Sequence, residues 1–259
     1  MSFRSLFAAS AALLLIPAAA ANAAQVAALV GSDTIVTVDT AQKKATGSVK
    51  VTGISGALVG IDVRPADGML YGLVDDGTIV TIATDGKATM KSKLDTMLAK
   101  GVAATVDFNP VADRLRVMGA DGMNLRANVD DGKVTKDGDH KFADGDMHKG
   151  EKPNIVAGAY TNSVKGAKET ALFNIDATIG GLIKQAPPND GVLGAIGKLG
   201  IKADNVAFDI WSDGAGKNEA WLMAGGTLYS VDLATGKATE AAQITGVSGT
   251  VKDIAIMGM

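Results

Sequence analysis

Four aspartates recur at one position of a repeated phrase: Asp62 in GIDVRP, Asp107 in TVDFNP, Asp209 in AFDIWS and Asp253 in KDIAIM. The unit that begins at Gly158 has Tyr160 in that place. Carboxylates brought together by repetition repel one another unless a cation or a basic group sits between them. They are therefore candidate ligands for a divalent cation or a polar molecule. The competing reading is structural, because Asp readily caps turns and bonds neighbouring backbone.

The arginines form a second set. After Arg4 there are only Arg64, Arg114, Arg116 and Arg126. Arg64 and Asn109 occupy equivalent repeat positions, each just before a proline, and Arg116 and Arg126 fall in adjacent expected strands. A guanidinium fork suits a carboxylate or phosphate, so Arg64, Arg116 and Arg126 join the candidate ligand-binding set. Internal pairing with the repeated aspartates is the alternative, since buried charges need partners.

A third cluster lies in DGDHKFADGDMHKGEKPN, which holds both histidines of the chain. Asp137, Asp139, His140, Asp144, Asp146 and His148 are candidate metal ligands there. Oxygen ligands at alternate positions suit calcium, and imidazoles suit zinc. The spacing completes no metal motif, and a solvated loop is the plainer reading of so charged a run. Elsewhere there is little material for catalysis. Without cysteine, and with both histidines in one stretch, neither a Ser-His-Asp nor a Cys-His triad is legible. Trp211 and Trp221 are the only tryptophans, so a carbohydrate-stacking platform is not evident in the sequence.

These residues are set by repeating elements. One phrase reads DTIVTVDTAQKKAT from Asp33, GTIVTIATDGKAT from Gly77, MNLRANVDDGKVT from Met123 and GTLYSVDLATGKAT from Gly226, with a degraded copy, ALFNIDATIGGLIKQ, from Ala171. Alternating apolar and polar residues followed by Asp-Gly or a similar turn predict hairpins. A second phrase precedes the first, as in GIDVRPADGMLYGL and, 45 residues later, TVDFNPVADRLRVM. Four strands in about 45 residues is the size of a propeller blade. The C-terminal KDIAIMGM reads as a first strand without its unit, and QVAALVGSDTIVTVD from Gln25 as a unit without its first strand. Joined, they predict an all-β propeller of five four-stranded blades closed between the chain ends. QAPPNDGVLGAIGKLGIKADN reads as an insertion, and Ser92–Lys100 as a short helix with Leu94, Met97 and Leu98 on one side.

Residues 1–24 read as a secretory signal: Arg4, an apolar stretch from Leu6 to Ala21, then the small-residue run Ala21-Asn22-Ala23-Ala24. Residues 25–259 would then form a single propeller domain, periplasmic or secreted. The chain has no cysteine, so its stability must come from a core and not from disulfides. Without Arg4 the charge is −4, from 24 basic and 28 acidic residues. That balance, with no basic cluster, argues against nucleic acid and anionic membrane as partners.

The motifs GIDVRPADGMLYGL, DFNPVADRLRV, MNLRANVDDG, AYTNS and QAPPNDGVLGAIGKLG resemble the bacterial family called domain of unknown function 4394. The resemblance covers nearly all of residues 25–259 and implies a propeller fold and export. It supplies no reaction, substrate or catalytic residue. Two functions are therefore expected. One is a non-catalytic binding or scaffold module for a small polar ligand or an envelope protein. The other is a hydrolase whose channel carboxylates hold a divalent cation, calcium or zinc, to activate water.

Overall fold

The computed structural model describes residues 24–258, so the signal-like segment, Ala24 apart, lies outside the described residues. The chain opens with β1 (Gln25–Val30), β2 (Thr34–Asp39) and β3 (Lys44–Lys50), and continues with β4 (Leu58–Val63), β5 (Leu70–Val74), β6 (Thr78–Ile82) and β7 (Ala88–Lys93). The next group is β8 (Ala104–Asn109), β9 (Arg114–Gly119), β10 (Asn124–Ala127) and β11 (Val134–Lys136). A two-residue strand, β12 (Lys141–Phe142), precedes β13 (Ile155–Tyr160), β14 (Leu172–Asp176), β15 (Gly181–Gln185) and β16 (Val192–Lys198). Then come β17 (Val206–Ser212), β18 (Asn218–Ala224), β19 (Thr227–Val231), β20 (Ala238–Gln243) and β21 (Val251–Gly258).

Five sheets result, arranged as a five-bladed β-propeller. Blade 1 has the order β21-β1-β2-β3, blade 2 β4 to β7 and blade 3 β8 to β11. Blade 4 is β13 to β16 with β12 added outside β16, and blade 5 is β17 to β20. The ring closes as expected. β21 pairs antiparallel with β1, with Ala27 opposite Ala255 and Ala28 opposite Ile254, so the C-terminal strand is the inner strand of the N-terminal blade. This covers an edge that β1 would otherwise expose.

The inner strands β21, β4, β8, β13 and β17 stand side by side around the axis. Both faces of an inner strand pack on neighbouring blades, which is why these strands read as almost unbroken apolar runs. In β17 six of seven residues are buried, whereas in the outermost β3 none is, so the core lies in the seams near the axis. It consists of five apolar clusters, one per seam. Tyr71 and Phe108, for example, meet edge-to-face at 5.2 Å between blades 2 and 3. Tight turns bring the blades together. Gly86 has φ +85°, and a Cβ there would sit 2.5 Å from the Lys50 carbonyl of blade 1, so the Asp85-Gly86 tip requires glycine.

Three local expectations are corrected. Residues Ser92–Lys100 are not helical. The Leu94 amide bonds to Gly77 O and the Asp95 amide to Gly132 O, which ties this segment to flanking hairpins while Leu94 and Leu98 bury in the seam between blades 2 and 3. Nine residues form too short a helix to compete with such tertiary contacts. ALFNIDATIGGLIKQ is the second and third strands of blade 4, not the third and fourth as in the other copies. The supposed insertion from Gln185 supplies the missing fourth strand, β16, after a 3₁₀ turn at Pro188–Asp190.

Candidate metal centre on the propeller axis

An inner strand turns its free edge to the axis, and its N–H groups there need acceptors. The repeated aspartates provide them across the seams. Asp253 Oδ2 accepts from the Ile61 amide of blade 2 at 3.0 Å, and Asp62 Oδ2 from the Phe108 amide of blade 3 at 2.6 Å. Asp107 Oδ1 accepts from the Tyr160 amide of blade 4 at 2.9 Å, and Asp209 Oδ2 from the Ile256 amide of blade 1 at 2.7 Å. The second oxygens of Asp62, Asp209 and Asp253 accept the amides of Val63, Ile210 and Ile254 within their own strands. Gly60 makes room for one of these bonds. A Cβ there would lie 3.0 Å from Asp253 Oδ2 and 2.6 Å from a Val106 methyl.

The seam between blades 4 and 5 is latched otherwise. The Ser163 amide donates to Ser212 Oγ at 3.0 Å, and the Asn162 amide donates to Asn218 Oδ1 at 2.8 Å. Tyr160 is not the displaced aspartate: it faces back to blade 3, where its hydroxyl accepts from Arg116 Nε at 3.0 Å. Ala159 is the residue turned toward blade 5.

The latches converge. Carboxylate oxygens of Asp62, Asp107 and Asp209, from three different blades, lie within 4.8 Å of one another. The four repeated aspartates are only 3–6% exposed, and among the described residues none forms an ion pair. Burial, reinforced by the neighbouring Asp209 charge, pushes Asp62 well above the usual carboxylate range. Burial with the Asp62 and Asp209 charges does the same to Asp107. Burial raises Asp253 likewise, and brings Asp209 up to about 6. Amide donors favour the charged form, but here they offset desolvation only in part. Such a group takes up either protons or a cation. Each carboxylate oxygen has two lone pairs, so an oxygen bonded to an amide can still coordinate. A donor set of oxygens alone fits calcium better than zinc. At the start of the inner strands a cavity of about 480 Å³ opens on this axis, lined by Val59, Ala104, Val156, Val206 and Val251 among others.

The arginines are paired internally, but with turn aspartates and not with the axial ring. Arg64, 6% exposed, binds Asp113 through Nε and Nη2 at 2.8 and 2.6 Å, and Asp130 through Nη1 and Nη2 at 3.2 and 2.9 Å. It also reaches the Tyr71 hydroxyl, and the combination staples blade 2 to blade 3. Arg116 and Arg126 are cross-strand partners, and they share Asp137 at 2.6 and 3.0 Å. Arg116 further donates to Asn124 and to Asn189 of the Pro187–Gly191 turn, 73 residues away. Sequence spacing carried no sign of Asp113, Asp130 or Asn189 as partners, because the contacts cross blades.

The six candidate ligands of the histidine loop are not brought together. Asp137 is taken by the arginines, Asp139 lies 3.4 Å from Lys136, and Asp144 lies 3.0 Å from Lys149. Asp146 accepts from the His148 and Ala195 amides, and His148 Nδ1 is 3.1 Å from Glu151. His140 is buried with neither ring nitrogen bonded. Burial, followed by the Arg116 charge, lowers its pKa to about 4 and keeps it neutral.

Fold and site together define a five-bladed β-propeller whose blades are latched by inner-strand aspartates that converge on the axis. The chain belongs to the family described as Domain of unknown function (DUF4394), which it matches over residues 34–255. Similar solved structures include a protein of unknown function from Bacteroides thetaiotaomicron, with 14% identity and a TM-score of 0.53 over 93% of this chain and 66% of that one. Another, from Bacteroides caccae, has 13% identity and a TM-score of 0.44 over 89% of this chain and 77% of that one. The likeness to the first is one of fold. No curated protein matches the chain in sequence.

Proposed function

We propose that this protein is an exported, non-catalytic binding propeller that carries a calcium-type divalent cation on its axis and presents its blades to a small polar ligand or an envelope protein. The observation behind the cation is the approach of Asp62, Asp107 and Asp209 to within 4.8 Å without a basic partner among the described residues. A cation there would neutralise charge that burial otherwise disfavours and would tie three blades together. Export rests on the signal pattern of residues 1–24. The hydrolase alternative calls for an open coordination position beside a base. The 3–6% exposure of the axial acids, and the distribution of the histidines, lend it no support.

Asp107→Asn is the discriminating variant. Asp107 uses only Oδ1 across its seam, so an asparagine keeps the bond from Tyr160 and loses only the charge. Titration calorimetry with calcium, magnesium and zinc on chelator-treated protein should show one calcium site, a higher melting temperature with calcium, and loss of both in the variant. Calcium-independent melting and no binding heat at millimolar calcium would leave the ring a purely structural, protonated latch.

A further inference from the structure

A cleft of about 750 Å³ lies away from the axial ring, between blades 5 and 1. It contains both tryptophans of the chain. Trp221 stands opposite Asp209 and Trp211 opposite Glu219, so the two indoles are diagonal neighbours on the face of blade 5 that looks toward blade 1. The facing wall is built of small residues, Ala24, Thr40 and Ala41. Where blades 2 and 3 fill their seam with Tyr71 against Phe108, this seam sets alanines against indoles and stays open.

We infer that this cleft binds a neutral saccharide, with a sugar ring stacked on Trp211 and Trp221. Indole faces take up the C–H face of a pyranose, and a hydroxyl-rich ligand matches the rim of Thr40, Asn218 and Ser230. The ligand is neutral because the charged rim residues, Lys217 and Glu219, are already paired with each other. A lipid chain would need continuous apolar lining, which this rim interrupts. Few tryptophans in the sequence gave no hint of this; the β17–β18 register brings the two together.

The test is a glycan array of neutral oligosaccharides, followed by tryptophan-fluorescence titration with the best responders and with maltotriose, cellotriose and diacetylchitobiose. Saccharide-dependent change in indole emission is expected, with affinity reduced roughly tenfold or more in Trp211→Ala. Both indoles are half-buried against the core between blades 5 and 1, so a second variant that leaves them in place is Ala41→Arg. Ala41 is exposed in the β2–β3 turn, and a long side chain there should block the cleft while leaving the melting temperature unchanged. No response to any neutral glycan, binding of laurate instead, or saccharide binding indifferent to both variants would overturn the assignment.

Discussion

Replacing Asp209 with asparagine should remove one pH-dependent part of the protein's stability. Asp209 is 6% exposed, and burial raises its carboxyl from 3.8 to about 6. A carboxyl raised in this way binds its proton more readily in the folded chain. Its contribution is therefore fully present below pH 3.8 and is lost as pH rises through about 6. The loss amounts to about 3 kcal/mol, since each tenfold shift in proton affinity is worth about 1.4 kcal/mol. Asparagine removes this titration, but it can keep only one of the two amide bonds, from Ile210 or from Ile256, at a cost of about 1–3 kcal/mol. In the presence of chelator the variant should be less stable than the native chain at pH 4 and equal or more stable at pH 8. Relief of Asp62 and Asp107, both raised by the Asp209 charge, enlarges that swing. Urea unfolding of both proteins from pH 4 to 8, followed by tryptophan emission, measures the difference directly. Stability curves that stay parallel to within roughly 0.5 kcal/mol would refute the reasoning that Asp209 is desolvated.

Three further outcomes are expected. Deleting Asp253–Met259 removes buried Ile254 and Ile256 and the Asp253 latch to Ile61, and should cost at least about 3–6 kcal/mol; an unchanged melting temperature would contradict closure by β21. Arg116→Ala should cost about 3–5 kcal/mol by chemical denaturation, because it leaves Asp137, 5% exposed, with Arg126 alone. The triple change His140→Ala, His148→Ala, Asp144→Ala should leave the response of the melting temperature to calcium, zinc and copper as it is in the native chain, since His148 is paired with Glu151, Asp144 with Lys149, and His140 is buried without a partner; a metal-induced rise lost in the variant would restore the loop as a metal site.

Local and periodic features were legible in the sequence. Hairpins follow from period-two alternation and from turns such as Asp85-Gly86, which are properties of neighbouring residues. Ring closure was legible because the two chain ends are out of phase with the repeat in complementary ways, and pairing of Ala28 with Ile254 is the outcome. Position alone marked Asp62, Asp107, Asp209 and Asp253 as a set, since repetition places equivalent residues equivalently. What they bond to was decided by tertiary structure, because the acceptors are used across seams between residues 46 to 192 positions apart. The same holds for Tyr160, whose alignment with the aspartates dissolves once its side chain turns to blade 3 while Ala159 faces blade 5. It holds for residues Ser92–Lys100, where helical spacing of apolar residues yields to hydrogen bonds from flanking hairpins. The candidate ligands of the histidine loop do not converge, for the opposite reason: its aspartates are close in sequence, but each has a partner that only the folded chain supplies, Arg116 for Asp137 and the Ala195 amide for Asp146. Proximity along the chain fixes which groups are available. Which of them meet is settled by packing, where a buried charge goes to whichever donor the neighbouring blade presents.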